Sequence, residues 1–192
     1  MESKFFTFFA PYFNFIDSGK FFREPFKYLY MLIAGANIFF PLYILYDALD
    51  GGILDAPGKV LFLFILLWLI IAVAGLLSFQ LWWNRKDKVI INAGPDFTAT
   101  PAFAHFLQTA GEHLGSWCAA VGTLFGLITL VFEEAKALGR FLAEGPFGYL
   151  PIGPGVNGML SSIIFGFICI VGFRVAAELL NARVTVANNS KK

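Results

Sequence analysis

The sequence predicts an all-α, polytopic membrane protein with four transmembrane helices. Of its 192 residues, 58% are hydrophobic and only 14% are charged, whereas soluble domains carry about 25% charged residues. Four segments reach or approach the roughly 20 apolar residues that a membrane-spanning helix needs. The net charge of +1 provides no strongly basic surface of the kind that binds nucleic acid.

The four predicted spans are residues 28–46, 60–81, 114–132 and 156–180, and with their connections they form a single membrane domain, residues 1–192. The second span is the strongest because it carries no charge and only one amide, Gln80. Glycines and threonines lower the apolar content of the third span, so a re-entrant or interfacial helix is an alternative for this segment. The polar tail after Val184 is expected to be disordered.

The segment before the first span, residues 1–27, is predicted to lie along the membrane surface. It holds nine phenylalanines and Tyr12, interrupted by Pro11, Gly19 and Pro25. Aromatic rings favour the headgroup region of a bilayer. We therefore expect these rings to anchor the first helix, with docking of a partner as the alternative.

The flanks of the spans differ in positive charge. Ten lysines and arginines lie on the side that holds both chain termini, and three lie on the other side, at positions 59, 136 and 140. Cytoplasmic loops retain lysine and arginine, so both termini are predicted to be cytoplasmic. The chain begins with an acid and a proline where a signal peptide has a basic start and an unbroken apolar run. These features predict a bacterial inner (cytoplasmic) membrane.

The two halves of the chain, residues 1–90 and 91–192, share a plan that suggests a 2+2 tandem repeat. The motif Pro11-Tyr-Phe13 has a counterpart in Pro101-Ala-Phe103, and Pro57-Gly58 has one in Pro154-Gly155. Each match is short, but their order and spacing are nearly constant. A duplication would relate the halves by a two-fold axis along the membrane normal, and coincidence is the alternative.

The fourth span ends in the pattern Arg174-Val-Ala-Ala-Glu178-Leu-Leu180. In this motif the last third of the chain resembles a group of small bacterial two-helix membrane proteins of unknown function. The resemblance implies a membrane location and nothing about an activity.

Small residues recur every three or four positions along the third and fourth spans, which places them in one stripe on each helix. The stripes consist of Gly111, Gly115, Ala119, Gly122 and Gly126 in the third span and of Ser162, Gly166, Cys169, Gly172 and Ala176 in the fourth. Small side chains let two helix backbones approach closely in lipid. We therefore predict that these two helices pack together. A glycine-lined pore is the alternative, but few polar residues accompany the stripes.

Three ionisable residues fall near the cytoplasmic boundary of the last two spans. Arg174 and Glu178 are four residues apart and share one helix face, while His113 begins the third span at a similar depth. A cluster of these three residues could bind an anionic lipid head or relay protons. The alternative is that Arg174 and Glu178 neutralise each other and extend to the headgroups.

Asn37 and Pro41 predict a bend in the first span. A proline removes the hydrogen bond that the carbonyl four residues earlier would accept, and that carbonyl belongs to Asn37. A free carbonyl beside an amide side chain could form an ion or substrate site, as broken helices do in transporters. A bent helix without any ligand is the alternative.

No metal or cofactor is predicted. The only histidines, His105 and His113, would lie about 12 Å apart on a continuous helix, too far to share one metal ion. The sequence contains no nucleotide-binding glycine loop, no zinc-ligand spacing and no Ser/His/Asp set. We therefore expect a protein that is not an enzyme.

The leading functional hypothesis is an accessory or scaffold subunit that packs with membrane lipid and with other membrane proteins or further copies of itself. A small oligomeric transporter or channel, with Asn37, Gln80 and the Arg174–Glu178 pair near its path, is the alternative. A membrane enzyme acting on lipid or quinone, using His113 or the outer carboxylates, is the second alternative.

Overall fold

The computed structural model describes residues 4–18, 22, 24–89, 99–139 and 148–190. Within these ranges the chain forms five α-helices and no strand: α1 (Lys4–Asp17), α2 (Glu24–Asp50), α3 (Gly58–Arg85), α4 (Ala99–Val131) and α5 (Gly155–Asn189). Helices α2 to α5 are each long and apolar enough to cross a bilayer. The predicted all-α class with four transmembrane helices is confirmed, and the chain is a multi-pass membrane protein.

The helices extend beyond the predicted spans. Helix α4 begins at Ala99, well before the predicted third span, and α5 continues to Asn189. The expectation of a disordered tail directly after Val184 is therefore wrong as far as Asn189. Leu180, Val184 and Ala187 are half-buried, and their spacing continues the buried face of α5 through its last turns.

Helices α2 and α3 form a first antiparallel hairpin, and α4 and α5 form a second. We call the end where α2 and α4 begin the basic end, and the opposite end of the bundle the acidic end. Lys27 and Asp87 are paired at the basic end with a 2.7 Å contact. Lys59 and Glu134 are paired at the acidic end at 2.6 Å, which joins the two hairpins there. The 2+2 duplication remains a hypothesis.

The first hairpin turns through a short 3₁₀ segment, Ile53–Asp55, preceded by Gly52 at φ +76°, a backbone conformation that glycine adopts without strain. The second hairpin needs a cap at the start of α5, because its first amides lack partners within the helix. Thr129 supplies one: the Gly155 amide donates a 2.7 Å hydrogen bond to its hydroxyl.

The second hairpin is held by close approach of α4 and α5 at small residues. A methyl group built at Gly115 would lie 2.5 Å from the Gly166 carbonyl oxygen, and one built at Gly166 would lie 2.8 Å from the Ala119 methyl. Methyl groups at Gly111, Gly122 and Gly126 would overlap Phe173, Ser162 and Met159 respectively. The two backbones therefore meet at a distance that only these residue sizes allow.

One predicted member of the α5 stripe lies away from this contact. Gly172 is exposed, and a methyl group there would meet nothing within 4 Å. From Cys169 the contact face continues through Phe173 and Ala177, with Ala176 half-buried at its edge. The reason is the helical period of 3.6 residues, which calls for a step of four after Cys169 where the predicted stripe takes a step of three.

Helix α1 carries exposed aromatic side chains, among them Phe8, Tyr12 and Phe13. Its surface position along the membrane remains a prediction. Residues 1–3, 19–21 and 23 of the predicted interfacial segment lie outside the described residues.

Candidate functional site at the basic end of the bundle

The basic end holds a group of polar and aromatic side chains contributed by α2, α3 and α4. Tyr30 of α2 is completely buried there. Its hydroxyl is hydrogen-bonded to Nδ1 of His105 on α4 at 2.8 Å, and the two rings are stacked with centroids 5.8 Å apart. This contact links α2 directly to the second hairpin.

Trp82 of α3 lies at the centre of this aromatic group. Its ring is 4.9 Å from that of Tyr30, 5.6 Å from that of Phe106 and 5.8 Å from that of His113, measured between centroids. Trp82 is 2% exposed, and its indole Nε1 has no hydrogen-bond partner among the described residues. An unpaired buried donor is unusual in a protein interior. The surrounding rings exclude water from this part of the bundle.

Beside the aromatic group, an ion pair joins α3 to α4. The Arg85 guanidinium donates to the Glu112 carboxylate, and both side chains are only about a fifth exposed. Gln108 donates to the other Glu112 oxygen at 2.9 Å. Arg85 also reaches the Thr109 hydroxyl at 3.4 Å, and that hydroxyl donates to the His105 carbonyl at 2.9 Å. The charges are therefore compensated within the chain, as a half-buried ion pair in an apolar setting requires.

These groups define the chemistry that the site can support. Glu112 is engaged by two donors and Arg85 by two acceptors, so neither is poised as a free acid or base. His105 also borders a polar groove of about 360 Å³ between the start of α4 and the end of α5, with Gln108, Asn181 and Thr185 among its lining residues. Of the two hydrogen-bonded residues, His105 lines the groove and Tyr30 does not.

Two residues of the predicted ionisable cluster pair with each other, and the third, His113, contacts an aromatic ring. Arg174 and Glu178 form an ion pair at 3.2 Å on the exposed surface of α5, with 60% and 68% of their side chains accessible. His113 lies against Trp82, and within the described chain it makes no hydrogen bond or ion pair with either residue. The pair is thus present, and His113 belongs to the aromatic group.

The predicted bend site is covered by α3. Helix α2 runs from Glu24 to Asp50 with Pro41 inside it, and the Asn37 amide donates to the Ile33 carbonyl at 2.8 Å. A methyl group built at Gly75 would lie 2.6 Å from the Asn37 carbonyl oxygen. The carbonyl that Pro41 leaves unbonded therefore faces the Gly75 backbone, which can supply a weak Cα–H contact.

The described residues contain no group of three or more His, Cys, Asp or Glu side chains arranged to hold a metal ion. The outer carboxylates Glu133 and Glu134 are engaged by Lys136 at 2.7 Å and by Lys59 at 2.6 Å. These hydrogen bonds lower the pKa values of both carboxyl groups below the usual glutamate range.

Comparisons with known proteins do not assign a family. No family model matches the sequence, and neither curated proteins nor solved structures give a significant match. The resemblance of the last third of the chain to small two-helix membrane proteins therefore rests on its helix-end motif alone.

Sequence reasoning missed most of the basic-end site. Tyr30, Trp82, Arg85 and Glu112 were not among the predicted site residues. One signal was present: His105, Thr109 and Glu112 lie on one face of α4 at spacings of four and three, in a segment that hydropathy excluded from the third span. No comparable signal identifies Tyr30 or Arg85, because their partners lie 75 and 27 positions away along the chain.

Proposed function

We propose that this chain is a non-catalytic accessory subunit of a membrane assembly, and that it contacts neighbouring membrane proteins through α5. In this proposal the basic end is cytoplasmic, as the ten lysines and arginines on that side favour, and the membrane is a bacterial inner membrane. The observation that carries the proposal is the surface of α5, which combines a long apolar face with one exposed ion pair.

Helix α5 uses only one side for contacts within the chain. That side packs on α4 through the small residues described above. The remaining circumference exposes large apolar side chains: Leu160, Ile163, Ile164, Phe167, Ile168, Val171, Val175 and Leu179. Lipid can cover such a surface, but helix association in membranes also depends on polar groups that specify the partner.

The Arg174–Glu178 ion pair supplies polar groups of that kind. Arg174 lies about 28 Å along α5 from its first residue, from the helical rise per residue, and so near the edge of a hydrocarbon core about 30 Å thick. Charged residues at this depth are costly unless paired or hydrated. A neighbouring transmembrane helix that donates to Glu178 and accepts from Arg174 would recognise this pair and lie against the apolar face.

The basic-end network supports a structural role. Arg85, Glu112, Gln108 and Thr109 hydrogen-bond with one another across α3 and α4. Satisfied networks of this type fix one arrangement of helices. A fixed bundle that presents the exposed apolar face of α5 is well suited to attachment within a larger assembly.

Site-specific photo-crosslinking in native membranes tests the proposal. A photoreactive amino acid at Phe167 of α5 is expected to capture a second membrane protein, identified by mass spectrometry after mild-detergent extraction. The matched control is Phe39 on the exposed face of α2, which is expected to crosslink to lipid. Glu178→Gln should reduce capture at Phe167 and leave expression unchanged.

Two outcomes contradict the proposal. Equal lipid labelling at Phe167 and Phe39 would show that α5 faces bulk lipid. Capture only of further copies of this chain, in a particle of this chain alone, would instead favour an oligomeric transporter or channel. Flux measurements in proteoliposomes would then be the next experiment.

A further inference from the structure

A crevice runs between α3 and α4, on the side of the bundle that faces the bilayer. The two helices are joined at the basic end by Arg85 and Glu112 and at the acidic end by Lys59 and Glu134. Between these points two adjoining hollows of about 290 and 320 Å³ separate them. The hollows share Ala74, Leu77 and Ala120 in their walls, so they form one continuous crevice.

The crevice is apolar along most of its length and polar at one end. Its α3 wall extends from Leu66 to Leu81, which corresponds to about 22 Å of helix. The hollow nearer the acidic end is lined by aliphatic side chains alone. The hollow nearer the basic end adds Ser78, Ser116 and Trp117. A molecule that fits would have a long apolar chain and a small polar head.

Ser78 provides a second, independent observation. It is 6% exposed, lines the crevice, and its hydroxyl forms no hydrogen bond with any residue that the structure describes. A serine inside a helix commonly bonds to the carbonyl one turn earlier. A hydroxyl in an apolar site without a partner is unfavourable, and a ligand with a carbonyl oxygen would satisfy it.

Two cations beyond the polar end, Arg85 and Lys86, are engaged by other residues. Glu112 binds Arg85, and Lys86 lies 3.6 Å from the Trp83 ring centroid with a hydrogen bond to the Trp83 carbonyl. No charged side chain lines either hollow, so an anionic headgroup finds no cation beside Ser78, and an uncharged head is favoured. A glycerophospholipid carries two chains and a charged phosphate, whereas the two uncharged hollows follow one another along α3 and match a single chain.

We propose that this crevice binds an isoprenoid quinone. The isoprenoid tail lies along the aliphatic wall between Leu66 and Leu77, and the quinone ring lies beside Trp117. The Ser78 hydroxyl donates a hydrogen bond to one quinone carbonyl. The proposal concerns binding alone and involves no electron transfer. It is independent of the partner surface on α5, which lies outside the crevice.

The test measures equilibrium binding of decylubiquinone to this chain in nanodiscs of phosphatidylcholine and phosphatidylglycerol. Quenching of the tryptophan fluorescence by the quinone reports the binding. We expect saturable quenching. Ala120→Leu, which fills the crevice, should weaken binding at least tenfold, and Ser78→Ala should weaken it about fivefold through loss of one hydrogen bond. The matched control is Ala36→Leu, at an exposed α2 position away from the crevice, and it should leave the affinity unchanged.

Either of two results would overturn the proposal. Quenching that rises linearly with quinone and is identical in all four proteins would show partitioning into lipid only. The second result is a glycerolipid that co-purifies with the protein and is lost in Ala120→Leu, while the quenching by decylubiquinone is the same in this variant. That result would assign the crevice to a lipid. Ser78→Ala removes only one oxygen atom, so the test does not depend on the folding of the bulkier variant.

Discussion

The first hairpin brings α2 and α3 together through large side chains and one glycine, whereas the second brings α4 and α5 together through a series of small residues. In the first, Trp68 donates to the Pro41 carbonyl at 2.8 Å and Gly75 faces Asn37. In the second, four glycines of α4 lie directly against α5. The difference teaches that two hairpins of apolar helices in one protein can be expected to differ widely in how much substitution they tolerate.

The largest effect is expected inside the second hairpin. Gly115→Leu places a side chain where the Gly166 carbonyl already lies within 2.5 Å of an added methyl group, so the helices must separate. We expect the free energy of unfolding to fall by about 3 kcal/mol or more, the upper range for overpacking. The measurement is thermal unfolding in mild detergent.

The control for this substitution is Gly172→Leu, on the same hairpin but in open space. It should leave the unfolding midpoint unchanged or raise it slightly, because glycine is a poor helix former. Equal destabilisation by the two substitutions would remove the argument that close backbone approach holds α4 to α5.

The second effect concerns the join between the hairpins at the basic end. Glu112→Ala leaves the Arg85 guanidinium, about a fifth exposed, without its carboxylate. A charged group left unpaired in a partly buried position costs about 1–3 kcal/mol, and we expect a loss of that order in detergent unfolding. Glu178→Ala breaks an exposed pair on α5 and should cost only about 0.5 kcal/mol. Similar losses in the two variants would contradict a structural role for the basic-end network.

The third effect is confined to the first hairpin. Gly75→Ala adds a methyl group 2.6 Å from the Asn37 carbonyl oxygen and 3.2 Å from Cγ of Pro41. We expect a loss of about 1 kcal/mol, the lower range for overpacking, because this hairpin has only one such contact along its length. Gly35→Ala, with nothing within 4 Å, is the control, and unfolding by chemical denaturant is the readout. A decrease in the free energy of unfolding as large as that of Gly115→Leu would contradict the proposed difference between the hairpins.

The sequence was informative about the helices and less so about their contacts. An unbroken apolar run such as residues 60–81 predicts a span because lipid leaves few other structures for it. The start of α4 was not recognised as part of a long helix, because His105, Gln108 and Glu112 lower the local hydropathy. The structure shows that these side chains bond to one another or to Tyr30 and Arg85, and this compensation depends on tertiary contacts.

The stripe on α5 shows the same limit. Positions 162, 166 and 169 were assigned to the contact face by spacing, and all three are buried. Beyond Cys169, spacing allowed either Gly172 or Phe173, and residue size favoured the glycine. The structure places Phe173 against Gly111 of α4, so a large side chain on one helix meets a missing side chain on the other. This complementarity depends on two helices, so it cannot be predicted from the residue pattern of one helix alone.

The smallest effect is expected at the acidic end, where Lys59 and Glu134 join the hairpins. The hydrogen bond from Lys59 holds the pKa of Glu134 below its usual range. A carboxyl with a depressed pKa in the folded state contributes stability above its unfolded pKa, and that contribution is lost as the pH falls through the folded value. Stability should therefore decline slightly below the ordinary glutamate pKa of about 4.3.

Glu134→Gln should remove that part of the pH dependence and leave stability near pH 7 almost unchanged, because surface ion pairs contribute little. Thermal unfolding of both proteins between pH 3 and 7 is the measurement. Parallel pH profiles for the two proteins would show that the pair does not couple the hairpins.

The length of α5 has a mechanical consequence. Its 35 residues correspond to about 52 Å, more than the 40–45 Å of a whole bilayer with headgroups. The helix therefore extends out of the membrane, and its last turns lie beside the start of α4, with His105 and Thr185 lining the groove between them. A change of tilt in the bilayer, such as one caused by a thicker membrane, is therefore expected to move the two helices together.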